Sequence, residues 1–499
     1  MDPAPAREGE YMKIKGTHIG ILPALLAALF LLVGCQRQKP APLLVYCAAG
    51  IKPPVEEVAR TYEREFGIPV QLQYGGSGTL LGNIRVTKSG DLFVAGDDSF
   101  IRIGREQGLV AESIPLAQMH PVIITRPGNP LGITTLADLL RVSVALANPD
   151  AASIGKTTQR ILEKEGSWAT LKAHAKVFKP TVNDIANDVK LGAVDSGIVW
   201  DATARQYPEL AVVRVPVFDA AVETVTVGVL TCSRQPTEAL RFARYLGARD
   251  KGSPLFAQKG YAAGEGDGWA VTPEITLFSG AMLRPGIETT LKEFERREGC
   301  RITTVYNGCG ILTAQMRTGQ RPDAYFSCDT TFMNTVADMY LTPVNVVDNH
   351  LMILVAKGNP MGIRTIADLL RPEVRVGLPH HEKSAMGNVA WKMLLDLGVY
   401  TQLAANLKVE SPTGDFLVNQ LRTGSLDAII ACRSNWAGVK DYLDAIPIEH
   451  RLAQMTQPYA VGKETRYRQM MTRLQAALVS AESRKRFELA GFRWLGNKP

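Results

Sequence analysis

No apolar run in this 499-residue chain reaches the roughly 18–20 residues that a membrane-spanning helix needs; the longest, residues 19–33, has 15. Clustered charge is also missing. The 56 Lys+Arg and 49 Asp+Glu, net +7, are scattered along the chain, so no basic face marks a nucleic-acid binder. The chain has no Gly-rich phosphate loop ending in Lys-Ser or Lys-Thr, no zinc-protease helix motif and no Gly-x-Ser-x-Gly elbow, which removes the commonest signatures of nucleotide hydrolysis, metalloproteolysis and esterase chemistry. What remains is ordinary composition, 46% hydrophobic and 21% charged, in a chain too long for one core.

The apolar run at 19–33 follows Lys13 and Lys15 and ends in Leu32-Val33-Gly34-Cys35. A cationic start, a short apolar stretch and small residues describe an export signal. The last four residues resemble the bacterial lipobox, whose cysteine is lipidated and becomes the first residue of the mature protein. Residues 1–35 are therefore expected to be a lipoprotein signal, with translation starting at Met1 or Met12, and 36–42 a Pro-containing tether. The expected location is the outer side of a bacterial membrane, anchored through Cys35; Gln36 does not mark inner-membrane retention.

An internal repeat sets the architecture. Residues 120–141 (HPVIITRPGNPLGITTLADLLR) match 350–371 (HLMILVAKGNPMGIRTIADLLR) at 13 of 22 positions without a gap. The flanks keep the order: Tyr74 to Gly78 matches Tyr306 to Gly310, Asp97 matches Asp329, and Phe256 to Tyr261 parallels Phe487 to Phe492. The period is a whole domain, giving copies at about 43–268 and 272–499 joined by a short linker. Such a linker keeps the copies in contact.

Within the first copy a β-rich run at Leu43 to Ala49 is followed by Pro53-Pro54 and then Val55, Val58, Ala59, Tyr62 and Phe66 at helical spacing. A strand at Val70 to Tyr74, a helix from about Thr79 to Thr87 and a strand at Asp91 to Ala95 continue the alternation, which the second copy repeats. This predicts α/β layers with parallel strands, and ligands of such sheets sit where strand ends lead into helix starts. The candidates at those ends are Ala49, Gly50, Gly76, Ser77, Gly78, Ser153 and Trp200. Small residues, hydroxyls and helix N-termini suit an oxyanion. Lys52 and Lys156 are nearby cations whose ordinary role is surface solvation. His120 and His350, equivalent in the repeat, read as structural.

The order Val45-Tyr46-Cys47-Ala48-Ala49-Gly50, Tyr-Gly-Gly-Ser-Gly, Gly90 to Asp97 and Asp195 to Trp200 resembles the molybdate/tungstate-binding proteins of ABC importers, which are type II periplasmic binding proteins. The resemblance covers nearly all of copy one and, more weakly, copy two. It implies two tandem domains, each of two α/β lobes joined by two crossover strands and closing on a ligand by a hinge. It also implies a small oxyanion ligand, an ABC permease as partner, no cofactor, no nucleic acid and no enzymatic turnover. Carried over by position, Ser77 matches the serine of the second loop, Gly50 stands where the family has its first serine, and Trp200 stands for a tyrosine. Ser153 is a substitute donor from the other lobe. Sulfate, phosphate or an organic acid then compete with molybdate as ligand.

Copy two departs further. Ser77 becomes Cys309, Gly96 becomes Cys328, Trp200 becomes Cys432 and Asp201 becomes Arg433, while Ser279 and Gly310 remain as possible ligand contacts. Cys309, Cys328, Cys432 and His380 admit three readings: a soft-metal site, a disulfide favoured by an oxidising compartment, or buried apolar packing. Arg433 could clamp a carboxylate or phosphate. An enzyme with Cys309 or Cys432 as nucleophile and His380 or His381 as base lacks a third group. A sensory or interaction module with one degenerate domain is the alternative from a different class.

Overall fold

The computed structural model describes residues 41–498. The expected signal, the lipidation site Cys35 and most of the tether lie outside them. Among the described residues no helix is long and apolar enough to cross a membrane.

The first copy folds as two lobes, each around its own sheet. One sheet has six strands in the order Ala262–Ala263, Val110–Met119, Glu223–Leu230, Leu92–Ala95, Leu43–Ala48, Val70–Gly75. The other has five, Val177–Lys179, Val144–Ala147, Ser196–Trp200, Pro121–Thr125, Ala211–Val213. Both are mixed rather than purely parallel. Leu43–Ala48 pairs parallel with both neighbours, but Glu223–Leu230 runs antiparallel to Leu92–Ala95, because the chain must cross to the second lobe and return.

The helices form where the sequence sets them. Lys52–Phe66 starts with proline in its first turn, buries Val55, Val58, Ala59 and Tyr62, and stops at Gly67, whose φ of 67° lets the backbone turn away. Its counterpart Arg284–Glu298 carries Pro285 in its first turn and stops at Gly299 with φ 65°.

The second copy repeats the order with one change. Its crossover strand, Val344–Ala356, runs unbroken for 13 residues and joins both lobes into one ten-stranded sheet. In the first copy the same crossover is cut at His120 into Val110–Met119 and Pro121–Thr125. Pro121 stands where copy two has Leu351, and proline has no N–H to carry the ladder through the break. His120 and His350 both sit at this crossover. The His120 N–H donates to Asp201 Oδ1 at 3.1 Å, and His350 Nε2 bonds the Ile448 carbonyl at 2.9 Å.

The two copies touch along a polar junction. Arg297 grips Glu112 through two bonds of 2.7 and 2.8 Å, and the Gln469 and Met470 amides both donate to Asp267. Beside them Arg473 pairs with Glu298 through bonds of 2.6 and 2.9 Å, with side chains only 11% and 1% exposed. Trp269 closes the junction against Tyr245, ring centroids 4.9 Å apart.

Candidate functional site

Five helices in the first copy begin at one place. The residues that precede or open them, Ile51, Gly76 with Ser77, Ala152 with Ser153, Thr181 with Val182, and Trp200, line a single cavity of about 20 Å³ between the lobes. None of its lining residues carries a charge. The four longer helices, Lys52–Phe66, Ser77–Thr87, Ser153–Lys164 and Val182–Lys190, each turn the positive end of a dipole toward it, which favours an anion without a cation in the lining. A volume of this size holds about one water, so a tetrahedral anion enters only as the lobes part.

The lobes meet through serines and backbone. Ser77 Oγ accepts the Gly96 N–H at 3.1 Å and the Ser153 hydroxyl, from the opposite lobe, at 2.8 Å. Ala49, Gly50, Gly76, Ser77, Ser153 and Trp200 all line the cavity. Gly78 does not. Its N–H donates across the lobe boundary to the Ala151 carbonyl at 2.8 Å, and a side chain there would meet the Asp150 carbonyl oxygen at 1.8 Å. It is a point of closest approach between lobes rather than a contact of the cavity.

Gly50 lacks room for the serine found in the resembling family: a Cβ would lie 2.7 Å from Val182 Cγ1 and 3.1 Å from Thr203 Oγ1. Thr203, which sequence reasoning missed, is fully buried with its hydroxyl unpartnered beside that spot. Its only sequence signal was its place three residues after Trp200. Thr181 was also missed, although Thr181 followed by Asp184 is a helix-start pair, bonded at 2.6 Å. The two lysines turn away onto aromatic faces, Lys52 over Tyr74 and Lys156 over Phe100. Behind the site Asp97 caps the next helix and takes the Thr157 hydroxyl of the other lobe at 3.4 Å; burial raises its pKa, opposed by its hydrogen bonds.

The second copy repeats these helix starts. Leu283, Gly308, Ser384, Thr413 and Cys432 precede the corresponding five helices. Gly310 repeats Gly78, its N–H donating to the Lys383 carbonyl of the other lobe at 3.2 Å. Ser279 is buried and its hydroxyl donates to the neighbouring Gly280 carbonyl at 3.3 Å; the strand register places it opposite Tyr306, as Cys47 is opposite Tyr74, so it is not the family's first serine. Cys309 and Cys328 lie together, the Cys328 N–H donating to Cys309 Sγ at 3.2 Å. Burial pushes the Cys309 thiol up, but hydrogen bonds from the Cys328 thiol and amide, the Tyr325 hydroxyl and the Ser327 hydroxyl outweigh it and bring it down. The Cys328 thiol is raised by that same bond and by burial.

The structure separates the copy-two candidates from one another. All six cysteines of the described residues are free thiols rather than disulfides. His380 does not join the cysteines, because its Nδ1 accepts the Glu382 and Lys383 amides and its ring stacks on His381. Arg433 lines a separate 210 Å³ pocket with His350, Gln454 and Arg493, apart from Cys309 and Cys328. Cys432 is buried and its thiol faces Met455 Sδ at 3.6 Å. Among the described residues no group of three or more His, Cys, Asp or Glu could hold a metal ion.

A two-lobed domain with an uncharged cleft ringed by helix starts is a solute-binding architecture. Sequence comparison agrees: the chain belongs to the bacterial extracellular solute-binding protein family, which matches it twice, over residues 43–262 and 275–493. Each copy accordingly has the type II periplasmic-binding-protein fold. A Haemophilus influenzae protein described only as a binding protein is 29% identical over 223 residues, 44% of this chain and 91% of its own length. The molybdate-binding protein ModA of Mycobacterium bovis is 25% identical over 267 residues, 50% of this chain and 99% of its own length. The solved periplasmic molybdate-binding protein of Azotobacter vinelandii is 18% identical with a TM-score of 0.39, covering 44% of this chain and 98% of that one.

Proposed function

We propose that this chain is a lipid-anchored solute-binding protein of an ABC importer, in which the first copy captures a small tetrahedral oxyanion and presents it to a permease. The observation that carries the reading is the meeting of four helix N-termini on a cavity with no charged lining residue. Dipoles bind a divalent anion there without an ion pair that would have to be broken for release. Ser77 and Ser153, from opposite lobes, supply the hydroxyls, so an anion between them couples binding to closure. The ModA relatives support molybdate as the first ligand to try. The Gly50 and Trp200 substitutions keep sulfate and phosphate in the panel.

The test is calorimetric titration of the mature chain with molybdate, tungstate, sulfate and phosphate, with and without Ser77→Ala. A hydrogen bond to a charged ligand contributes about 1.5–3 kcal/mol, so the substitution should weaken binding roughly 10–150-fold. No heat from any of the four anions, or equal affinity in the variant, would sink the reading.

A further inference from the structure

In the first copy the inner contact of the cleft is made by oxygens, Ser77 Oγ holding the Gly96 N–H and the Ser153 hydroxyl. In the second copy the same contact is made by sulfur. The Cys328 N–H to Cys309 Sγ bond, 3.2 Å, reproduces the Gly96 N–H to Ser77 Oγ bond, 3.1 Å, between residues the same 19 positions apart. The hydroxyl of the opposite lobe is gone, because Ala385 opens the helix that Ser153 opens in copy one. A second thiol has come in its place. A side chain at the Gly96 position points at Ser153, its Cβ 3.1 Å from Ser153 Oγ, and in copy two that position is Cys328. Both sulfurs surround one point beside Gly280, where a Cβ would lie 1.9 Å from Cys328 Sγ and 3.2 Å from Cys309 Sγ. Further sulfur stands behind them. Gln457 Nε2 bridges the Cys328 and Met455 carbonyls at 2.9 and 3.1 Å, its Oε1 is buried without a partner, and Met455 Sδ faces Cys432 Sγ.

We propose that the second copy binds a soft monovalent d¹⁰ cation, of the Cu⁺ type, as cargo held between Cys309 Sγ and Cys328 Sγ. Two thiolates are enough for such an ion, which accepts two sulfurs on opposite sides, whereas structural zinc takes four ligands and catalytic zinc three from the protein. With both thiols protonated at the outset the step is Cu⁺ + 2 RSH → [RS–Cu–SR]⁻ + 2 H⁺, and copper stays monovalent. The product is an anion. It forms where Cys309 itself opens the helix Cys309–Arg317, whose dipole favours negative charge, so a scaffold suited to oxyanions takes a cation by making it part of an anionic complex. The buried Tyr325 hydroxyl, which accepts the Ser327 hydroxyl at 3.0 Å, serves Cys309 as an outer partner.

The inference concerns copy two and stands apart from the oxyanion reading of copy one. The experiment offers Cu⁺, as its bicinchoninate complex, to the reduced full mature chain under anaerobic conditions and follows loss of the complex's colour. One equivalent should pass to the protein, with sulfur as the sole first neighbour in X-ray absorption. Cys309→Ser and Cys328→Ala should each weaken retention by more than the roughly 10–100-fold that loss of an outer partner costs. Tyr325→Phe should fall within that range, and Cys232→Ser should change nothing. Circular dichroism and oxyanion binding by copy one show that each variant is folded. The proposal is overturned if the reduced protein withdraws no copper, if the Cys309/Cys328 double variant withdraws as much as the parent, or if nitrogen or oxygen neighbours dominate the spectrum.

Discussion

Gly78→Ala separates closure from folding. In the native arrangement an added Cβ lies 1.8 Å from the Asp150 carbonyl oxygen on the other lobe, whereas ordinary contact begins at 3.4 Å. The atom it strikes is backbone, so relief comes from moving the lobes apart by about 1.6 Å at that point. That carries the Gly78 N–H to Ala151 bond and the Ser77 to Ser153 bond, each 2.8 Å, out past about 4 Å, where neither survives. Losing two neutral hydrogen bonds costs the closed form about 1–3 kcal/mol, which lowers its population relative to the open form roughly 5–150-fold. The fold itself does not suffer. Gly78 lies in the first turn of the helix Ser77–Thr87, and alanine there gains up to about 1 kcal/mol of helix propensity. Spin labels at Val86→Cys and Leu191→Cys, positions 79% and 80% exposed on opposite lobes, report the separation directly. The expected result is a longer distance and weaker anion binding with an unchanged or higher melting temperature. A distance distribution identical to that of the parent would refute the steric reasoning, and a lowered melting temperature would show that the glycine serves the fold instead.

Other perturbations follow from the same coordinates. Arg473→Met leaves Glu298 buried beside the interdomain junction without its bidentate partner, which should cost about 3–5 kcal/mol, or about 6–20 °C in a calorimetric melt of a domain this size; a drop under about 2 °C would refute it. Asp195 is held below the usual carboxylate range by the Ser143 hydroxyl and, against burial, by the Ser143 amide and Arg126. Its stabilising contribution is therefore present above the unfolded carboxylate pKa, near 3.9, and is lost as the pH falls through the lower folded value. The stability gap between parent and Asp195→Asn should be widest near neutral pH and shrink below about pH 4; a gap that grows on acidification would reverse the sign.

Local signals made much of the fold legible. The repeat placed 120–141 on 350–371, and in each copy those segments begin at the crossover between lobes, cut in copy one and unbroken in copy two. Proline and glycine fixed the ends of Lys52–Phe66, because one fits a first helical turn and the other a left-handed stop. Ser77, Ser153 and Trp200 were readable as candidates because strand ends and helix starts are local features. Gly50 as a missing serine was readable too, but not why it is missing: Val182 and Thr203, more than a hundred residues away, fill the space.

The sequence by itself determined the duplication, the alternation of strand and helix, and the loops that face the cleft, since all three depend on patterns within a few turns of chain. Tertiary structure decided what meets what. Whether a glycine touches a ligand or the opposite lobe, as Gly78 does, depends on how two sheets hinge. Whether Cys328 pairs with Cys309 or Cys432, and whether Arg433 or His380 faces the same cavity, depends on rotations about helix and strand ends that no spacing encodes. A shift of a few ångströms there separates a hydrogen bond from open space, and only the packed lobes fix distances that finely.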